Sequence, residues 1–102
     1  TCALPICAFY DAPVAVALFA PRAFFFAAAD AYIHAHALCL AAHSLGLGSC
    51  LVGGVGDPVG PDLARAWGVP ETHAPQCFVL LGHPRGPLPA PHPRRYAPVA
   101  WA

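Results

Sequence analysis

The sequence predicts a fold that mixes helix and strand, and three observations carry that expectation. Two short apolar runs, Val14 to Phe19 and Gln76 to Leu81, have the length and continuity of buried strands. Between them, Ala31 to Gly56 contains no Asp, Glu, Lys or Arg, and its first part repeats at helical spacing. The end of the chain carries six prolines between Pro84 and Pro98, which makes it extended rather than helical.

Taken in order, Asp11-Ala12-Pro13 is a turn-like entry, because proline biases Ala12 toward extended backbone. Val14 to Phe19 follows as a strand buried on both faces and ended by Pro21. Ala23 to Ala29 is equally compatible with a short helix and an aromatic flap. Asp30 is the expected N-cap of a helix in which Ile33, Ala37, Leu40, Ala41 and Leu45 form one face. Gly46 is the expected left-handed stop of this buried, alanine-rich helix. Ser49 to Val52 can pair as a short strand between glycines. Pro61 suits the first turn of a second helix that runs to about Trp67 and closes at Gly68. Gln76 to Leu81 is the second buried strand, ended by Gly82, and the proline-rich tail with Val99 and Trp101 is expected to lie on an apolar surface.

Composition points to a chain that expects a partner. Charged residues make up 10% of the 102 residues and apolar ones 58%, against roughly 25% charge in an ordinary domain. A domain this small exposes much of its surface, so such a composition leaves sticky patches of the kind found at interfaces. Five basic and five acidic residues cancel, which gives no pull toward nucleic acid or an acidic membrane surface. The uncharged helix runs only from about Asp30 to Leu45, short of the roughly 20 residues a membrane span needs. The five cysteines are irregularly spaced and no signal peptide is visible, so a cytoplasmic, reducing compartment is expected. Thr1 to Ile6 resemble a translated sequencing adaptor and are set aside as an artefact. Residues 7–83 are then expected to form a partial domain, and 84–102 its extended tail.

The order of motifs resembles the nitroreductase family from Asp11 to Trp101. The segment from Asp30 to Gly54, with Leu-Ala-Ala-His-Ser-Leu-Gly-Leu-Gly-Ser-Cys at its centre, is similar to that family's central helix and flavin turn. Leu80-Leu-Gly-His-Pro84 is similar to its strand ending in Gly-Tyr-Pro, and Pro93-Arg-Arg-Tyr-Ala-Pro-Val-Ala-Trp101 to its arginine-bearing C-terminus. The wording of the central motif is closest to a subgroup that often carries an upstream ferredoxin-like domain. The resemblance covers only the C-terminal half of such an enzyme. It implies an α+β fold with a mixed, mostly antiparallel sheet packed by a buried central helix, in a homodimer holding flavin mononucleotide (FMN) at its interface. It also implies hydride transfer from NAD(P)H through FMN to a nitro, quinone or related small-molecule acceptor, with the 102-residue chain inactive alone.

The resemblance further implies the site. Leu51, Val52, Gly53 and Gly54 match the segment beside the flavin ring, where a backbone amide can donate toward N5 only if side chains leave room. Gly53 is the expected donor, at a position expected to take positive φ. Arg94 matches the tail arginine that pairs with the FMN phosphate, a role suited to the guanidinium fork. His92 stands where the family often has lysine. Read without the resemblance, the glycines cap a helix and turn the chain, and Arg94 and Arg95 solvate the tail.

No catalytic side chain and no metal ligand set is expected. His34 and His36 point to different sides of a helix, and no histidine pair has i, i+4 spacing. Cys2 and Cys7 match part of an iron–sulfur spacing, but no third ligand follows. A nucleophilic Cys50 beside His43 is the weaker reading, since Cys50 follows a helix C-terminus whose dipole opposes a thiolate. The alternative to an enzyme is a flavin-binding or protein-interaction module without catalysis.

Overall fold

The computed structural model describes residues 9–54 and 57–102. Thr1 to Ile6, Cys7, and Val55 and Gly56 lie outside the described residues. Among the described residues, three strands and two helices follow in the order β1 (Val14–Pro21), α1 (Ala27–Ser44), β2 (Gly48–Val52), α2 (Gly60–Ala66) and β3 (His73–Gly82). The strands form one sheet in the order β1-β3-β2, with both pairings antiparallel. The class is α+β.

β3 is the central strand. Cys77, Phe78, Val79 and Leu80 are all buried, as a strand with a neighbour on each side and cover on each face requires. Side-chain alternation divides the core in two. Cys77 and Val79 face α1, with Ala31, Ala35, Val16 and Leu18. Phe78 and Leu80 point to the opposite face, with Val52, Phe9 and Val59. Burial pushes the Cys77 thiol above its ordinary pKa by desolvating the charged form.

β3 begins at His73, earlier than Gln76, because a register shift opposite Leu18 and Phe19 accommodates Pro75. At Pro75 only β1 is a neighbour, since β2 pairs with Phe78–Gly82 alone, so the missing N–H disturbs one ladder rather than two. β1 departs from the expectation of burial on both faces. It is an edge strand, with Val14 and Ala15 exposed and most of the rest half-buried.

α1 corrects the sequence reading in two ways. It starts at Ala27 with Phe26 as N-cap, so Asp30 is not the cap but stands in the first turn, where its carboxylate meets the positive end of the helix dipole. The face turned to the sheet is Ala27, Ala31, Ala35 and Ala42, not the expected one. Ile33, Ala37, Leu40, Ala41 and Leu45 face outward, with Ile33 67% and Leu40 59% exposed. The helix is apolar on every side, so spacing alone could not select a face. Alanine lets the helix approach a sheet whose own side chains are large, and that decided the orientation.

Both helices stop as the glycines require. Gly46 takes φ +74° and Gly68 φ +76°. Leu47 N–H donates to Ala42 O at 2.9 Å and Gly46 N–H to His43 O at 3.0 Å; Val69 and Gly68 repeat the pattern on Ala64 and Arg65. These paired bonds satisfy the last helical carbonyls. α2 is opened by Asp57, whose Oδ1 accepts from the N–H groups of Val59 and Gly60, both at 3.1 Å. The tail is exposed throughout, with Tyr96 at 89% and Trp101 at 91%, so it does not lie on an apolar surface of this chain.

Candidate functional site

The site expected from sequence begins where β2 leaves the sheet. The stop at Gly46 delivers the chain directly from α1 into β2, whose last pairs are Leu51 with Val79 and Val52 with Phe78. That register gives neighbouring residues opposite tasks. Val52 is 7% exposed and belongs to the core with Phe78 and Leu80, so its side chain is committed to packing. Leu51 is 40% exposed. Gly53 and Gly54 then leave the ladder as exposed backbone without side chains.

The positive φ lies at Gly54, at +71°, and not at Gly53 as expected. Gly53 is instead a point of close contact. A Cβ there would collide with Tyr32 Oη and stand 3.3 Å from Tyr32 Cζ. Tyr32, projecting from α1, therefore packs against the turn, a contact that the sequence pattern did not reveal. Its neighbour Ile33 fits a helical repeat, whereas the contact between Tyr32 and Gly53 depends on how α1 and β2 are stacked.

Arg94 is not brought to the turn by the chain's own contacts. It sits in the extended, exposed tail and makes no hydrogen bond or ion pair among the described residues. Cys50 lies in the middle of β2, and its Sγ is oriented to Leu51 O at 3.8 Å rather than to a histidine. It lines a shallow cleft of about 570 Å³ with Tyr10, Asp11, Leu81, His83 and Arg85. Among the described residues no three His, Cys, Asp or Glu side chains converge. No described helix is long and apolar enough to cross a membrane.

What this geometry can do is bring a planar ligand against bare backbone. The exposed Gly53–Gly54 segment leaves room for a ring system to approach peptide groups.

The fold is similar to that of known proteins. The chain is similar to a nitroreductase with bound FMN from Bacteroides fragilis, at 28% identity and a TM-score of 0.71, over 94% of this chain and 54% of that one. A nitroreductase with bound FMN from Desulfitobacterium hafniense matches at 28% identity and a TM-score of 0.68, over 85% and 50% of the two chains. An FMN-dependent nitroreductase from Clostridium difficile matches at 25% identity and a TM-score of 0.62, over 79% and 51%. The chain thus spans about half the length of these structures. No curated protein matches it. The profile of the nitroreductase family matches residues 4–83, most of the chain, and on that match the chain belongs to the nitroreductase family.

Proposed function

We propose that this chain is the C-terminal half of an FMN-dependent oxidoreductase that passes hydride from NAD(P)H to a nitro, quinone or related small-molecule acceptor. The observation that carries this reading is the Gly53–Gly54 backbone, exposed at the end of β2 and held in place by α1 and β3. When bound, FMN supplies the hydride chemistry, and the protein's part is to hold and orient it. In this reading the Gly53 amide, with Gly54 beside it, donates toward the ring edge. Leu51 gives apolar contact, and Val52 anchors the segment from the core side. Arg94 pairs with the phosphate once the tail is docked.

The same reading makes the protein a homodimer. Ile33 and Leu40 on the outer face of α1, Phe25 at 90% exposure and Trp101 at 91% form apolar surface that a second subunit would cover. The three described cysteines are free thiols, in keeping with a cytoplasmic location. Residues 7–83 act as the partial domain in this scheme and residues 84–102 as the tail, while the family match begins at residue 4, inside the segment set aside as an artefact. The chain by itself would be inactive.

The test is purification of the complete protein. It should be yellow, release FMN on denaturation, and be bleached by NADH or NADPH under anaerobic conditions. A colourless protein that fails to take up added FMN would overturn the reading. Bound FMN that neither nicotinamide reduces would mean a flavin-binding module without catalysis.

A further inference from the structure

We propose that Tyr32 is a positioning residue for the Gly53–Gly54 turn, acting as the wall against which the turn rests; the inference depends on the flavin reading above. Tyr32 Oη and Cζ occupy the space that a side chain on Gly53 would fill, and Cε1 lies 3.7 Å from that point. The base of this wall is fixed. Ala31 and Ala35, on either side of Tyr32, are 6% and 0% exposed and packed on Cys77 and Val79. Its tip is free, for Tyr32 is 40% exposed and its hydroxyl makes no hydrogen bond among the described residues. The phenol thus transmits the position of α1 to the backbone of the turn.

This arrangement separates function from stability. A methyl group at Gly53 meets the far end of a tyrosine side chain, which can swing toward solvent at little cost to the fold. What is lost is the wall, and with it the height at which the turn's amides meet a ligand. Displacements on that scale are costly where groups must be aligned.

The experiment uses the complete FMN-loaded protein with Gly53→Ala, Tyr32→Ala and the double variant, and Tyr32→Phe as the conservative control. Gly53→Ala should weaken FMN binding about tenfold and change the visible spectrum of the bound flavin, with the melting temperature of the apoprotein nearly unchanged. Tyr32→Ala should do likewise, whereas Tyr32→Phe, which keeps the ring against the turn, should stay within about twofold of the parent. In the Tyr32→Ala background, adding Gly53→Ala should cost little more, because the two residues act through one contact. Additive losses in the double variant, or full affinity and an unchanged spectrum in Tyr32→Ala, would overturn the proposal while leaving the flavin reading intact. Failure of the unsubstituted protein to bind FMN would remove both.

Discussion

Ala35 on α1 packs into the same core cluster as Val79 on β3, and neither exposes any surface to solvent. The helix meets the sheet through its smallest side chains, and the central strand supplies the volume. Both residues should therefore be intolerant of changes in size, in opposite senses. Val79→Ala leaves a cavity and should cost about 2 kcal/mol. Ala35→Leu forces the helix away and should cost about 1–3 kcal/mol. Urea unfolding of the two variants measures both.

The stop at Gly46 makes a purely conformational prediction. No atom lies within 4 Å of where its Cβ would be, so Gly46→Ala meets no obstacle except φ +74°. The expected loss is about 1 kcal/mol, read from the denaturation midpoint. Gly86→Ala, in the open tail and with nothing near its Cβ, should leave that midpoint unchanged.

The cysteines should divide by burial. Cys50 is exposed, Cys39 half-buried and Cys77 buried, so alkylation of the native protein should label them in that order. The folded state also holds the Cys77 proton more tightly than the unfolded state does. Its contribution to stability is therefore fully present below the unfolded thiol's pKa, about 8.5, and declines as pH rises through the higher folded value. Cys77→Ala should flatten the alkaline limb of a stability–pH curve, after subtraction of its constant packing loss.

The outer face of α1 should matter for assembly and not for the fold. Leu40 is 59% exposed, so Leu40→Glu should change the stability of the monomer by less than about 0.5 kcal/mol. If α1 is the dimer surface, the same substitution should convert the complete protein to monomer in light scattering. An unaltered dimer would place the interface elsewhere.

Local chemistry was legible where glycine or proline acts on its own backbone, whereas Asp30, expected as a cap, stands in the first turn. Gly46 and Gly68 announced the helix ends, Pro61 announced the start of α2, and Gln76 to Leu81 marked the central strand. Relationships between elements were not legible. The face of α1 was misread because apolar residues surround the whole helix, so no amphipathic contrast distinguishes one side. β1 is less buried than its continuous apolar run suggests, because such a run does not reveal whether a strand has one neighbour or two. At the candidate site, the Leu51–Gly54 turn is singled out by motif similarity. Tyr32 was missed because its contact with Gly53 joins residues of different elements, and the positive φ was placed one residue too early.

The proline-rich tail has a consequence for the rate of assembly. Residues 84–98, set in an extended form at about 3.1 Å per residue, span roughly 45 Å. In the proposed dimer, an arm of that reach, carrying Arg94 and Tyr96 near its far end, would extend the distance at which two molecules can touch. Because proline restricts its conformations beforehand, less freedom is lost when it settles. If the complete protein is that dimer, first contact would be made by the arm, with the apolar faces closing afterwards.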